Sequence, residues 1–89
     1  MRDAVTWLLP DDAIQAISEA KLANIPLLGF DGAYLQEATT RPSLEDSWDY
    51  YNPAYPAVPN HYTHAIQFIR ERRLKGLRFE LVFGKVRPN

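Results

Sequence analysis

Three groups of residues in this 89-residue chain have the types and spacing to do chemistry: a histidine pair, a knot of carboxylates and a run of cations. His61 and His64 stand three apart, a spacing that puts two imidazoles on one helix face and begins a metal site. The chain holds no other histidine and no cysteine, so nothing of the usual kind completes the ligand set. Two histidines near a helix start are the simpler account, and no metal is expected. Glu45, Asp46 and Asp49 could pair for general acid and base work, but that needs one carboxyl desolvated until its pKa rises. A chain this short shows no evident cleft to do so. The serines, Ser18, Ser43 and Ser47, sit in no Gly-x-Ser-x-Gly elbow, and no glycine-rich phosphate loop is present. Neither a serine hydrolase nor a nucleotide cofactor is expected; an enzyme working through the three carboxylates ranks third among the functions considered.

The cations Arg70, Arg72, Arg73, Lys75 and Arg78 could neutralise phosphates. An isoelectric point near 6.1 argues against a polyanionic partner. Cations in the last turn of a helix also suit the negative end of its dipole. Direct nucleic-acid binding is therefore not expected.

The densest unusual feature is Glu45-Asp46-Ser47-Trp48-Asp49-Tyr50-Tyr51, which mixes acids and large rings. Aromatic anchors carry interface energy and carboxylates speed encounter with a basic partner, so Glu45, Asp46, Trp48, Asp49, Tyr50 and Tyr51 form a candidate partner-binding face. The competing account places Trp48 in the domain's own core and pairs the acids with Arg70 to Arg78. Both stay open on sequence alone.

These residues must be positioned by a few elements. Asp11 or Asp12 after Pro10 can cap a helix from Ala13 to about Ala23, with Ala13, Ile17 and Ala20 on its apolar face and Asn24 as a left-handed stop. Leu27 to Phe30 reads as a buried strand, Asp31-Gly32 as a hairpin turn and Ala33 to Leu35 as a returning strand; Gly29 marks either a bulge or a close backbone approach. From about residue 36 to 60 the periodicity disappears among Pro42, Pro53, Pro56 and Pro59, which predicts a long irregular loop, ordered by its aromatic residues. Asn60 resembles an N-cap, and Tyr62, Ala65, Ile66 and Ile69 give the stripe of an amphipathic helix running to Lys75, with Gly76 as its C-cap. Leu77, Phe79, Leu81 and Phe83 then alternate as a final strand, and Ala4 to Leu9 is a possible further one. The sum is one α+β domain, two helices on a small sheet, with a long ordered loop between the first strand region and the second helix.

Composition agrees with that size. Apolar residues are 46% and charged residues 24%, a globular balance, and the absence of cysteine leaves packing to hold the fold. No apolar run approaches the roughly 20 residues of a membrane span, so the expected location is the cytoplasm. The net charge of −1 conceals a division: nine acids face three bases in residues 1–50, and seven bases face two acids in residues 51–89. Neighbouring surfaces of opposite sign inside one small fold are the first explanation.

The order of these features, helix, Ile25-Pro26-Leu27-Leu28-Gly29-Phe30-Asp31, a tryptophan among acids, a second helix and the strand Phe79-Glu80-Leu81-Val82, resembles small bacterial immunity proteins of polymorphic toxin systems. The likeness spans about Ala13 to Phe83. It implies a cytosolic, non-enzymatic protein, without cofactor or membrane association, that binds and neutralises one cognate toxin domain. If that toxin is a basic nuclease, the acidic aromatic face would occupy its substrate cleft. A small accessory or adaptor protein of a cytosolic complex is the alternative, and a homodimer through the final strand fits either.

Overall fold

In the computed structural model, which describes residues 6–37 and 39–85, the first helix, α1, spans Pro10–Leu22. Proline suits this start because its φ is already helical and the amide it lacks would have had no partner. The capping position belongs to Leu9, which offers no side-chain bond. Asp11 and Asp12 instead lie in the first turn and face the positive end of the helix dipole, which corrects the expected cap. The stop is as expected: Asn24 has φ of 60°, with Asn24 N–H donating to Lys21 O and Ile25 N–H to Ala20 O, a Schellman closure.

The first strand, β1, runs unbroken over Leu27–Gln36. No hairpin forms at Asp31-Gly32; the chain reverses further on, where Gln36 pairs with Thr39. The second strand, β2, covers Thr39–Asp49, so the first part of the predicted irregular segment is a regular element. Among the described residues of that segment, Glu37 and the connection after Asp49 lack helix or strand. The connection is held down by Tyr50 N–H on Leu28 O and by Asx turns at Asp49 and Asn52. Pro42 sits in β2 without penalty because β2 is an edge strand.

The second helix, α2, spans His61–Glu71, and Asn60 caps it by accepting Thr63 N–H at 3.0 Å. It stops a turn earlier than expected: residues 72–76 form tight turns, closed by Arg72 N–H on Ile69 O and Lys75 N–H on Arg72 O, and end at Gly76 with φ of 80°. The third strand, β3, is Arg78–Phe83.

The sheet is antiparallel in the order β2-β1-β3. At the far edge Leu8 makes a single antiparallel bridge to Phe79, and this is what the described residues show of the strand expected over Ala4 to Leu9; Ala4 and Val5 lie outside them. Both helices cover the same face. Ala13 and Ile17 of α1, Ala65, Phe68 and Ile69 of α2, and Leu27, Phe30 and Phe79 of the sheet make one core with Leu77. Phe30 is its centre, edge-on to Phe68 and Phe79 with centroids 5.1 and 6.1 Å away. The protein is a small α+β domain, and among the described residues no helix is long and apolar enough to cross a membrane.

Candidate functional site

The acidic aromatic segment is built around a wide irregularity in β2. Ser43 pairs with Gly32 and Trp48 with Phe30, so Leu44, Glu45, Asp46 and Ser47 stand opposite Asp31 alone. The excess chain is folded back by its own side chains. Ser47 Oγ–H donates to Ser43 O at 2.7 Å, Gly32 N–H donates to Ser47 Oγ at 3.0 Å, and Ser43 Oγ–H donates to Asp46 Oδ2 at 2.6 Å. A bulge re-aims the side chains it carries, and here it turns Asp46 into the protein.

Asp46 is 1% exposed. Its Oδ1 accepts Arg72 Nε–H at 2.9 Å and Lys75 Nζ–H at 2.8 Å, while Oδ2 accepts Lys75 again at 3.0 Å. Arg72 is itself laid over the Phe68 ring, 3.5 Å from its centroid, with Nη1–H donating to Phe68 O. Burial alone would raise the Asp46 pKa, but the bonds from Lys75, Ser43 and Arg72 and the lysine charge outweigh it and hold the carboxyl below its ordinary value. Lys75 is raised, chiefly by its hydrogen bond to Asp46. Asp46 is therefore a clamp between β2 and the turn after α2. It is removed from the exposed face proposed on sequence, and a carboxyl held ionised is poorly suited to act as a general acid.

Trp48 also turns inward. Its indole is half-buried, 4.5 Å from the His64 ring, 4.8 Å from Tyr55 and 5.9 Å from Phe68 between centroids. Its Nε1–H is buried and has no acceptor among the described residues. Tyr50 stacks on His61 at 4.2 Å and 7° and reaches both the His61 carbonyl, at 3.0 Å, and His64 Nδ1, at 2.8 Å. A phenol has one proton; given to the carbonyl, it leaves Tyr50 Oη to accept from His64 Nδ1–H. Burial raises the Tyr50 pKa strongly. His61 Nδ1–H donates to Leu27 O at 3.1 Å and Tyr62 O–H to Ile25 O at 2.6 Å, so the start of α2 is pinned to the start of β1. The histidine pair thus serves packing, and among the described residues no three His, Cys, Asp or Glu are grouped to hold a metal ion.

His64 carries a testable pH signature. Burial first, then the charges of His61 and Arg72, lower its pKa below the ordinary 6.5. The fold prefers the neutral ring and the unfolded chain takes the proton first, so this contribution to stability is complete above about pH 6.5 and declines as pH falls below it. Urea midpoints measured from pH 8 to 5 should fall for the wild type and fall less for His64→Gln; parallel curves would sink the assignment.

What remains outward from the segment is Glu45, Asp49 and Tyr51. Glu45 makes only a loose surface pair with Lys75, 3.8 Å away. Asp49 and Tyr51 open onto the sheet face away from the helices, where a groove of about 430 Å³ is lined by Leu28, Asp31, Trp48, Asp49, Tyr51 and Val82 together with backbone of Gly29 and Phe30. Leu28, Asp31 and Val82 were not among the sequence candidates, although the alternation of β3 already sets Val82 and Glu80 opposite the buried Phe79.

The chain matches no protein-family model and no curated protein. Function must therefore be argued from this geometry. It presents two acidic aromatic regions of different kinds, one satisfied inside the fold by its own cations and one open to solvent on a bare sheet face.

Proposed function

We propose that this chain is a non-enzymatic protein-binding domain of the immunity type, which binds and neutralises one cognate bacterial toxin domain in the cytoplasm. The supporting observation is the groove on the uncovered face of the sheet, apolar at Leu28, Val82 and Tyr51 and edged by Asp31 and Asp49, with no lysine or arginine in its lining. A patch of this composition suits a protein partner with a cationic surface, because the apolar floor supplies burial and the carboxylates supply steering. A toxin that cleaves nucleic acid needs a cationic cleft for phosphates, and a carboxylate-edged face can occupy it. Asp49 and Tyr51 belong to that face, and Glu45 adds an exposed carboxylate elsewhere on the same segment. Trp48 lines the same groove, while Asp46 is held by Arg72 and Lys75 and Tyr50 packs on His61.

The test is capture from the source cell followed by co-expression. The wild-type chain should retain one protein domain that stops growth when expressed alone and permits it when the chain is present. Replacing Glu45 and Asp49 by lysine should lower the association rate at least tenfold at low salt and flatten its salt dependence. A captured partner that is harmless alone, as a subunit of a housekeeping complex would be, overturns the proposal.

A further inference from the structure

The cross-strand register of the open face sets two carboxylates opposite each other. Asp31 of β1 is the direct partner of Glu80 of β3, while their neighbours Phe30 and Leu81 form the next pair. Phe30 is buried in the core and Leu81 packs against it, so alternation sends Asp31 and Glu80 together to the opposite face. Like charges directly opposite in an antiparallel pair repel. Neither has an ion-pair partner among the described residues. Arg78, on the same side of β3, donates instead to Leu77 O. Asp49, across the groove, accepts only Tyr51 N–H. The contrast is with Asp46, whose charge is met by two cations, Arg72 and Lys75, and by the Ser43 hydroxyl inside the same small domain.

From this we infer that the groove receives an arginine side chain of the partner protein. The guanidinium lies between Asp31 and Asp49 of the groove lining, with Glu80 beside Asp31 on the neighbouring strand, and its aliphatic stem lies on Leu28 and Val82. Arginine fits better than lysine for two reasons. Its planar fork serves two carboxylates at once, and its flat cation stacks on a ring such as Tyr51, whereas an ammonium is a strongly hydrated point charge. The cation also relieves the Asp31–Glu80 repulsion that the free domain carries. The inference rests on the protein-binding reading above and supplies the chemistry of its contact.

Nα-acetyl-argininamide and its neutral isostere Nα-acetyl-citrullinamide are the probes, followed by backbone amide NMR shifts of the intact chain. Argininamide should give saturable shifts at Leu28, Asp31, Asp49 and Val82, with at least fivefold weaker binding of the citrulline compound. Asp31→Asn with Asp49→Asn should abolish the difference without lowering the melting temperature. Glu80→Gln should raise the melting temperature and weaken argininamide binding together, opposite movements that a purely structural glutamate would not produce. Equal responses to both compounds, or shifts confined to the separate cleft between Asn24, Pro26 and Pro59, overturn the inference. The two proposals fail separately. Toxin neutralisation undiminished in the Asp31→Asn, Asp49→Asn variant removes the arginine contact and leaves neutralisation standing, whereas an arginine-specific response in a chain that captures no toxin does the reverse.

Discussion

Replacing Arg72 and Lys75 together by methionine should destabilise the domain more than deleting the carboxylate they hold. The asymmetry follows from where the charges lie. The Asp46 side chain is 1% exposed, whereas those of Arg72 and Lys75 are 27% and 39% exposed. Without its cations Asp46 is a buried anion left with Ser43 alone. Without Asp46 the two cations rotate into water, and Asp46→Ala should cost only about 2 kcal/mol, the worth of charge-assisted hydrogen bonds lost. Urea unfolding at pH 7 ranks the variants, and a larger loss for Asp46→Ala than for the double variant would refute the clamp as described. The same clamp fixes the acid limb. Because the Asp46 pKa is held below its ordinary 3.8, its contribution is complete above about pH 4 and is lost as pH falls through the folded value. Asp46→Asn should therefore be less stable than the wild type at pH 7, with the gap closing toward pH 2.

The clamp also marks how far the sequence could be read. The helices and β3 were legible because burial imposes a period on them: Ala13, Ile17 and Ala20 on α1, Ala65 and Ile69 on α2, Leu77 and Phe79 leading into β3. Asn24 and Asn60 declared their roles through local chemistry, which needs no knowledge of the rest of the chain. β2 offered neither signal. Its apolar alternation is absent because most of the strand is an exposed edge, and the part that is buried is an irregular excursion whose inward residues are Asp46 and Ser47. A strand whose buried side chains are polar has no hydrophobic period to find. The hairpin turn read at Asp31-Gly32 failed for a related reason. Gly32 is needed for a close approach within the sheet, and a glycine required by packing looks in sequence like a glycine required by a turn. The opposite charges of the two halves of the chain do meet, at Asp46 with Arg72 and Lys75, but composition could not select which acids meet cations and which stay open. Of the two accounts the sequence leaves open for the acidic aromatic segment, internal packing holds at Asp46 and Trp48, while Glu45, Asp49 and Tyr51 stay outward.

Gly32→Ala should cost about 3 kcal/mol and should do so by disturbing Asp46. A β-carbon at this position would clash with Asp46 O and lie 3.0 Å from Asp46 Cβ, and the first of these is backbone that cannot swing aside. To make room the excursion of β2 must lift, which also strains the bond from Gly32 N–H to Ser47 Oγ that closes it. Gly76→Ala gives the contrast: φ of 80° there strains any side chain, but nothing lies within 4 Å, so about 1 kcal/mol is expected. Gly29→Ala separates the mechanism from simple crowding. Its β-carbon would meet Trp48 O at 2.6 Å, a clash of similar severity outside the clamp, and it should leave the acid limb of stability intact. In a double-mutant cycle Gly32→Ala and Asp46→Asn should together cost less than the sum of their separate effects, because each releases the same contacts. Gly29→Ala and Asp46→Asn should come closer to additivity. If the Gly32 cycle proves additive within about 0.5 kcal/mol, the glycine serves the strand crossing alone and the placement of Asp46 must be secured by the Ser43 and Ser47 bonds without it.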